Sequence, residues 1–596
     1  MAKSILREFV EGYEQSDENN GESRGKKFFC RSFSGTVTPA MLHSSKHGIL
    51  KFFNTVSKRT QYMSTKALGA AMLAFGIVTV ILSFLADYGS ATGEAATISF
   101  IIGVAMSLVA IPLLLSEGTF AYIFQNSKIL DKILFDFLCI NKVPRNDNVK
   151  SVHIALTAVI GALLGLLGYF IPVWLVIFTV LVAVFVYLAF GSPEFSFFAT
   201  FFLLPYISHI PYGQFVLVSL VLLGVVSFTR KVLTGKRVYS FEQYDAAVLF
   251  IAILILVSGV FAKGNNGVVT ACVSASATLG YFISSNVITN RRLADCMLVA
   301  ITLSSVAPAV ISFCEAISVI SGDGIGALLS AGVSSVFPDT VAYAVFILVT
   351  LACTMALIGQ SDGFTKMLYI LAMLINIGAL VACAEPFALL AFVIGLAVYI
   401  VLNLRKSWSG SATFMLVTLP YAVLLIITLV NPETLSLGAL TKLWGESLGA
   451  FLYNIVIGIG TGADSFAAAL GDAAQGYGSP GNIFISIGLS FGIFALAAFI
   501  IILVIRVKHR TMYHGYIKHS EISMISPVIA VATVSVIVLG TARGVFDSLS
   551  SYYLFWCVFG AGSATLRVAK KEYDEREMYF EDAIDSESSV ADVKIV

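Results

Sequence analysis

Charged residues are scarce in this chain, and their scarcity excludes a soluble globular protein. Asp, Glu, Lys and Arg make up only 12% of the 596 residues, whereas 58% are hydrophobic. Soluble domains carry roughly 25% charged residues, and a mean hydropathy of +0.89 is typical of a chain that crosses a membrane several times. Residues 1–66 depart from this pattern, because they are polar and basic without an early apolar run. They predict a largely disordered cytoplasmic tail rather than a signal peptide.

Residue patterns for metal, redox and nucleotide chemistry are also missing. The eight cysteines include no C-x-x-C pair, and none lies at metal-ligand spacing from a histidine. The G-x-x-x-x-G-K-[ST] loop that holds nucleotide phosphates does not occur. We therefore expect no metal site, no cofactor, no ATP-driven step and no nucleic-acid partner.

Long apolar runs are what the chain has in abundance. A run of about 20 apolar residues spans a bilayer as a helix. On that basis the sequence predicts an all-α polytopic membrane protein with about sixteen spans, and about twelve as the lower limit, together with one long extracytoplasmic loop. The predicted spans are 67–86, 95–115, 151–170, 172–190, 194–206, 213–229, 245–262, 267–286, 294–318, 340–359, 366–384, 386–404, 412–431, 483–505, 523–541 and 551–567.

The basic residues predict the orientation of these spans. With the N-terminus in the cytoplasm, all but three of the 37 Lys and Arg residues lie on the cytoplasmic side. The three on the outside are Lys263, Lys442 and Arg543. Because short loops rich in Lys and Arg stay in the cytoplasm, we expect both termini inside and the long 432–482 loop outside.

The predicted spans divide the chain into four parts. The first is the cytoplasmic tail over 1–66, and the second, over 67–150, is an accessory transmembrane hairpin with an amphipathic helix at the inner surface. The third is the main transmembrane domain over 151–569, which contains the external loop 432–482. The fourth is a charged and largely disordered cytoplasmic tail over 570–596. The amphipathic helix is predicted near 119–142. Within the main domain, Pro193 and Pro386 predict two tight helical hairpins, since proline does not continue a helix.

The external loop holds the residues that distinguish the chain from a plain membrane anchor. Its first half, 437–457, has helical periodicity around Trp444 and is predicted to rest on the outer membrane face. Its second half runs from Gly458 to Phe466 and is rich in glycine. Such a backbone either permits close approach to a ligand or forms a flexible turn between two helices. Asp464 within it either accepts a sugar hydroxyl or caps the following helix.

A larger motif extends across the loop and the last spans. A Trp precedes the glycine run, an Asn opens the next span, and a Phe-Trp pair with glycines occupies the final span. These features are Lys442-Leu443-Trp444, Gly458 to Phe466, Asn482 with Gly488, and Phe555-Trp556 with Gly560 and Gly562. In these features, the chain resembles the O-antigen ligase and Wzy-type polymerase family of bacterial envelope enzymes over roughly 151–567.

The resemblance implies an enzyme that takes a glycan from polyprenyl pyrophosphate at the outer face of a bacterial plasma membrane. The family transfers that glycan to an acceptor sugar without a metal. Arginines stabilise the leaving pyrophosphate, and a loop histidine acts as general base. This sequence departs from the pattern, because Gly481 or a close neighbour replaces the histidine, residues 330–333 contain no arginine, and Glu385 stands where a cation is expected.

Two external cations remain as candidates for pyrophosphate binding. Arg543 either contacts substrate or pairs with Asp547 and lipid headgroups, and Lys442 either contacts substrate or anchors a surface helix. Lys263 is interpreted as a solvated turn residue. No catalytic residue is assigned from the sequence. The substrate-binding candidates are Arg543, Lys442, Trp444, Gly458, Gly460, Gly462, Asp464, Asn482 and Glu385.

Three functions stay open at this point. The chain is an oligosaccharide ligase or polymerase, a catalytically inactive relative that partners an active polymerase, or a transporter of lipid-linked oligosaccharide. The expected partners are the lipid bilayer, a polyprenyl-pyrophosphate-linked oligosaccharide and other membrane proteins of polysaccharide assembly. A transporter is expected to have repeated halves, or broken helices with charged residues at mid-membrane, and the sequence has no convincing internal repeat.

Overall fold

The computed structural model describes most of the hydrophobic part of the chain. The described residues are 63–87, 93–116, 118–119, 125–137, 153–233, 237–241, 243–262, 266–404, 437–471, 478–512, 517, 520 and 522–593. They contain helices throughout and no β-strand, apart from an isolated bridge between Ser64 and Thr119. The predicted all-α fold is confirmed.

Eight helices within the described ranges are long and apolar enough to cross a membrane. They are Thr65–Leu85, Thr97–Leu115, Val173–Gly191, Gly213–Leu233, Gly267–Val287, Arg291–Asp323, Thr340–Gln360 and Gly363–Ala382. Shorter apolar helices occupy Ile154–Phe170, Asp245–Val260, Pro386–Leu402 and Ile525–Gly540. The chain is therefore a helical, multi-pass membrane protein. The count of about sixteen spans stays a prediction, and the predicted span 412–431 lies outside the described residues.

Contacts divide the chain into two compact units. The first comprises Met1–Leu188 with Leu233–Lys236, and the second comprises Ala189–Val232 with Arg237–Val596. The helices of the first unit are α1 (Thr65–Asp87), α2 (Gly93–Leu115), α3 (Lys128–Leu130), a π-helical stretch (Asp131–Phe137), α4 (Ile154–Phe170) and α5 (Val173–Gly191), the last of which ends in the second unit. The sequence-based division starts the main domain at residue 151, whereas α4 and most of α5 group with α1 and α2.

Small residues set the packing of α1 against α4 in the first unit. The Thr157 hydroxyl donates to the Ala67 carbonyl at 2.7 Å. One and two helical turns further on, Gly161 lies against the backbone of Ala71 and Gly165 against that of Phe75; a Cβ at Gly161 would come within 2.0 Å of the Ala71 carbonyl oxygen. Spacing by four places these small residues on one helix face, where they allow the close backbone approach common between membrane helices.

The second unit contains the remaining helices. They are α6 (Pro193–Leu203), followed by a 3-10 turn (Leu204–Tyr206), α7 (Gly213–Leu233), α8 (Gln243–Val260), α9 (Gly267–Val287), α10 (Arg291–Ser304), α11 (Val306–Asp323), α12 (Ile325–Ala331), α13 (Thr340–Gln360), α14 (Gly363–Ala382), α15 (Pro386–Leu404), α16 (Leu437–Tyr453), α17 (Ala463–Leu470), α18 (Ile483–Phe491), α19 (Ile493–Met512), α20 (Ile525–Gly540) and α21 (Leu549–Val593). Pro193 and Pro386 open α6 and α15, as proline suits the first turn of a helix.

The core of the second unit lies along the contact of α9 with α21. Gly280 leaves room for the Tyr553 ring, and Gly560 lies against the backbone of Tyr281. Trp556 is 1% exposed and contacts several aromatic rings edge to face, Tyr281 among them. The Tyr553 hydroxyl lies 3.0 Å from that of Thr200 on α6. Glycines on both helices therefore bring them close, and the aromatic side chains fill the space around the contact.

One predicted span is interrupted in the structure. The predicted span 483–505 is divided at Gly492 between α18 and α19, whereas Ser305 between α10 and α11 keeps a helical backbone, so that Arg291–Asp323 runs as one apolar stretch. Gly492 has a φ of +85°, a conformation that L-amino acids other than glycine rarely adopt. Apolar residues continue across Gly492, so the sequence pattern predicts one helix where the backbone forms two.

The C-terminal segment also differs from its prediction. The sequence predicts a largely disordered tail over 570–596, but α21 continues as one helix from Leu549 to Val593. At about 1.5 Å per residue, its 45 residues extend roughly 68 Å, about twice the hydrocarbon thickness of a bilayer. Lys571 and Glu575, one turn apart, approach to 3.6 Å on its exposed surface, a pairing that weakly supports the helix.

Candidate functional site

The tip of the hairpin between α14 and α15 holds the first part of the site. Glu385 is 7% exposed, and its Oε1 accepts a hydrogen bond from Arg543 Nε at 2.9 Å. The Arg543 guanidinium also lies 4.8 Å from the centre of the Phe387 ring. The sequence offered Asp547 as the alternative partner of Arg543, and the structure gives that role to Glu385, which is distant in sequence. The cation is thereby held between a carboxylate and an aromatic face.

The loop between α16 and α18 is joined to the segment that carries Arg543. Trp444 Nε1 donates to the Pro480 carbonyl at 2.9 Å. Two residues on, Asn482 caps α18 by accepting from the backbone of Phe484 and Ile485, and its Nδ2 donates to the Thr541 carbonyl at 2.7 Å. The amide oxygen and nitrogen of Asn482 are therefore both engaged. Asn482 and Trp444 position the loop rather than present free groups to a ligand.

Asp547 lies beside this junction and accepts a hydrogen bond from the Ser479 hydroxyl at 2.6 Å. Burial of its carboxyl group raises the pKa of Asp547 to about 6; the Ser479 bond opposes that rise, and the nearby Asp339 carboxylate adds to it. Burial likewise raises the pKa of Asp339, whose carboxylate caps α13 by accepting from the Ala342 backbone. The Asp547 side chain nevertheless reaches solvent.

The glycine segment packs against the break between α18 and α19. The backbone N–H groups of Ile459 and Gly460 donate to the carbonyls of Leu489 and Ser490 at 2.8 and 3.0 Å, and Ile493 donates to the Ile455 carbonyl at 2.8 Å. The first two bonds satisfy carbonyls that the end of α18 would leave without partners, and the third satisfies an N–H at the start of α19. We call residues 455–460 with 489–493 the interlock.

Steric limits explain two of the three predicted glycines. A Cβ at Gly458 would lie 2.4 Å from the Ser490 carbonyl oxygen, and a Cβ at Gly460 would lie 2.4 Å from Ala262 Cβ. Both residues also have positive φ values. Gly458 is therefore required by backbone packing within the interlock, and Gly460 by its close contact with Ala262. Gly462 also has a positive φ, +102°, but only the Thr270 side chain lies near it, 3.6 Å from the position that a Cβ would occupy.

A cavity of about 370 Å³ lies next to Gly462. It forms where α7, α9 and α17 begin, and its lining consists of Gln214, Phe215, Asn266, Val269, Thr270, Gly462, Ala463 and Asp464. Two predicted site residues, Gly462 and Asp464, thus share a cavity with residues that the sequence did not single out. Neither Arg543 nor Glu385 belongs to its lining, so the candidates fall into two groups within the second unit.

The other two cations predicted to be external are Lys442 and Lys263. Lys442 is exposed on α16, and no ion pair involving it occurs among the described residues. Lys263 lies outside the described residues. Among the described residues, Arg543 is the predicted external cation that contacts a carboxylate, Glu385.

Sequence reasoning missed several polar residues of the second unit. It offers Asp547 only as a partner for Arg543, although the carboxylate lies four residues away in a segment between two spans. Gln214 and Asn266 begin predicted spans, where polar residues are ordinary and carry no separate signal. Buried carboxylates are also missed: Asp245 is 2% exposed and accepts from the Tyr281 hydroxyl at 2.5 Å.

Glu194 is a second buried carboxylate that the sequence does not reveal. It is 3% exposed and lies at the start of α6, where its two oxygens accept from Lys231 at 2.7 Å and Arg237 at 2.6 Å. The Ser192 hydroxyl donates to it at 2.8 Å. These bonds join α6, α7 and the segment before α8, which is a structural role. Ser192-Pro193-Glu194, with an acidic residue in the first helical turn, is the available sequence signal.

No group of three or more metal-ligating side chains occurs in the part of the chain that the structure describes. No protein-family model matches the chain, and no curated protein matches it.

Proposed function

We propose that this chain handles a polyprenyl-pyrophosphate-linked glycan at the outer face of a bacterial plasma membrane, in the assembly of a surface polysaccharide. The proposal rests on the resemblance of the external loop to O-antigen ligases and polymerases. Its main structural support is that three segments distant in sequence meet at one place. The Arg543 segment contacts the hairpin tip through Glu385, and it contacts the loop through Asn482 and the Ser479–Asp547 bond.

The chemistry of glycan transfer needs a proton acceptor and a cation. In the proposed reaction, the acceptor hydroxyl oxygen attacks the anomeric carbon of the lipid-linked sugar, and the bond from that carbon to the pyrophosphate oxygen breaks. The pyrophosphate leaves with the bonding electron pair. The hydroxyl proton passes to Asp547, whose raised pKa suits a general base near neutral pH better than an ordinary aspartate. Asp547 would thus replace the missing loop histidine.

Arg543 is the cation available to the leaving pyrophosphate. Its Nε is bonded to Glu385, and its Nη1 makes a long 3.5 Å contact with the Ala542 carbonyl. Nη2 has no hydrogen-bond partner among the described residues, and the side chain keeps 24% of its surface exposed. A guanidinium presents several donors in a fixed fork, so the Nη2 edge remains for phosphate oxygens while Glu385 holds the other edge.

One observation favours the second candidate function, an inactive relative that partners an active polymerase. The charge of Arg543 is neutralised by its ion pair with Glu385. A carboxylate 2.9 Å from the guanidinium repels a pyrophosphate that approaches the same group. A protein that has exchanged a binding cation for an ion pair retains the fold and loses the leaving-group contact. The transporter function has weaker support: the chain has a broken helix at Gly492, but residues 455–460 and 489–493 include no charged side chain.

The decisive experiment compares variants in a bacterial strain that lacks the chromosomal gene. Surface polysaccharide is measured by gel and by antibody binding, and membrane abundance by immunoblot. If the chain is a transferase, we expect Arg543→Ala to lower polysaccharide formation about a hundredfold at unchanged abundance, since a lost transition-state contact costs about 3 kcal/mol. Lys571→Ala, which removes an exposed cation from α21, serves as the control.

The outcomes separate the candidate functions. If deletion impairs the polysaccharide while Arg543→Ala combined with Lys442→Ala changes nothing, the chain acts as an inactive partner. If deletion leaves every surface polysaccharide intact, the proposed function is wrong.

The proton-acceptor role of Asp547 has its own test. Transfer measured in membranes with added lipid-linked glycan is expected to fall as the pH drops through the raised pKa of Asp547, about 6, because protonation removes the base. Asp547→Asn is expected to abolish transfer at every pH, and Asp547→Glu to restore part of it. Full activity of Asp547→Asn would assign proton transfer to another group.

A further inference from the structure

We propose that the cavity where α7, α9 and α17 begin is a binding site for the neutral sugar hydroxyls of a glycan chain. This inference rests on the proposed function and extends it, because it assigns the glycan and the pyrophosphate to different places in the second unit. The cavity residues would hold sugar rings, and the Arg543 segment would hold the charged leaving group.

The cavity presents side chains that donate and accept hydrogen bonds. The amides of Gln214 and Asn266 and the carboxylate of Asp464 make no hydrogen bond with other groups in the described part of the chain. The Thr270 hydroxyl donates to the Asn266 carbonyl at 3.0 Å, which leaves its oxygen lone pairs as acceptors. Amide, hydroxyl and carboxylate groups together match sugar hydroxyls, each of which donates one hydrogen bond and accepts others.

An apolar wall completes this arrangement. Phe215 and Val269 belong to the lining and are 43% and 45% exposed, so they offer apolar surface to a ligand. Binding sites for small molecules combine such surface with a few placed polar groups that fix orientation. The apolar C–H face of a sugar ring fits the wall, while its hydroxyls fit the amides and the carboxylate.

The charge of the residues that line the cavity argues against a phosphate ligand. No Lys, Arg or His belongs to the lining within the described residues, and Asp464 adds a negative charge that repels phosphate. The cavity volume, about 370 Å³, falls at the lower end of the range for ligand sites, roughly 300–1,000 Å³. That size suits one or two sugar rings and excludes a long polyprenyl chain.

The backbone segment that leads into the cavity is fixed at its N-terminal end by packing contacts. Gly460 packs against Ala262, which lies at the end of α8 and close to the start of α9. The interlock therefore fixes the segment that leads into Gly462 and Asp464. A site positioned in this way does not have to order a loose loop when ligand binds, and that reduces the entropy cost of binding.

The test uses the purified full-length protein in lauryldimethylamine oxide, a detergent without a sugar headgroup. Saturation-transfer difference NMR is recorded with two neutral probes, maltotetraose and chitotetraose. We expect transfer to the ring protons of at least one probe. Asp464→Asn and Asn266→Ala are each expected to weaken the fitted dissociation constant by at least about fivefold, the effect of losing one hydrogen bond of about 1 kcal/mol.

Two controls make the result specific. Asp323→Asn removes an exposed carboxylate at the end of α11, outside the cavity, and is expected to leave binding unchanged. Inorganic pyrophosphate, added in excess, is expected not to compete. The absence of transfer to both probes, an equal effect of Asp323→Asn and Asp464→Asn, or competition by pyrophosphate would each overturn the inference.

Failure of this inference is distinguishable from failure of the proposed function. If the cavity variants lose probe binding but deletion of the gene leaves surface polysaccharide intact, the site binds saccharide and the cellular role is different. If deletion impairs the polysaccharide and neither probe binds, the role stands and the glycan is bound elsewhere.

Discussion

Replacing Gly492 by alanine is expected to disrupt the interlock. This glycine separates α18 from α19 at a φ of +85°, and a Cβ placed there would lie 2.1 Å from the Val456 carbonyl oxygen. The obstacle is backbone rather than a flexible side chain, so the two segments of the interlock have to move apart. Their separation removes the backbone hydrogen bonds that join Ile459 to Leu489, Gly460 to Ser490 and Ile493 to Ile455.

The magnitude follows from two contributions. With φ +85° and ψ 177°, Gly492 occupies a backbone region that is essentially confined to glycine and costs alanine roughly 1–3 kcal/mol. Three lost hydrogen bonds add roughly 1 kcal/mol each, which gives a total of about 4–6 kcal/mol. Large domains lose about 2 °C of melting temperature per kcal/mol. We therefore expect the melting temperature of the Gly492→Ala protein to fall by roughly 8–12 °C.

Thermal unfolding of the detergent-purified protein, followed by circular dichroism, measures the effect. Gly445→Ala is the matched control, since no atom lies within 4 Å of its Cβ position on α16. Alanine within a helix is favoured over glycine by up to about 1 kcal/mol, so this control is expected to melt at the same temperature or slightly higher. A Gly492→Ala protein that melts within about 2 °C of the control, equivalent to about 1 kcal/mol, would refute the steric argument.

Three further predictions concern topology and stability. Reporter fusions after Lys508 are expected to give a cytoplasmic signal and fusions near Gly471 an external one, because positively charged loops stay inside; reversed signals would invert the proposed orientation. Glu194→Gln is expected to cost roughly 3 kcal/mol of unfolding free energy, since two cations lose their buried carboxylate, and an unchanged melting temperature would contradict that role. Asn482→Ala is expected to cost about 2 kcal/mol through the lost α18 cap and the lost bond to Thr541. Asn482→Ser keeps a capping oxygen without placing a second acceptor against the Thr541 carbonyl, and should cost about half as much; equal losses in the two variants would argue against a separate contribution from the cap.

Hydropathy is enough to predict where most helices lie. The all-α fold and the helix starts at Pro193 and Pro386 follow from apolar runs and from the geometry of proline, both of which are local properties. The loop motif is also readable, because glycine and asparagine have conformational and capping preferences that act over a few residues. Gly462 and Asp464, two residues of that motif, line the cavity.

Partners distant in sequence cannot be predicted in the same way. The partner of Arg543 is Glu385, and hydropathy gives no information on which hairpin tip meets which loop. Likewise, the break at Gly492 depends on hydrogen bonds supplied by residues 455–460. A glycine in an apolar run is compatible with a continuous helix, and only the tertiary partner decides against it. The helix over 570–593 escapes prediction because a charged composition is typical of disordered tails as well as of exposed helices.

The interlock has a consequence for the order in which the chain is synthesised and inserted. The end of α18 and the start of α19 carry carbonyl and N–H groups that cost several kcal/mol each wherever neither water nor a protein partner satisfies them. Residues 455–460 leave the ribosome before Gly492 does, so the partner of the break is already present when the break emerges. A circular permutant that begins between the two segments would reverse this order, and α18 and α19 would then be synthesised before any segment that satisfies their ends.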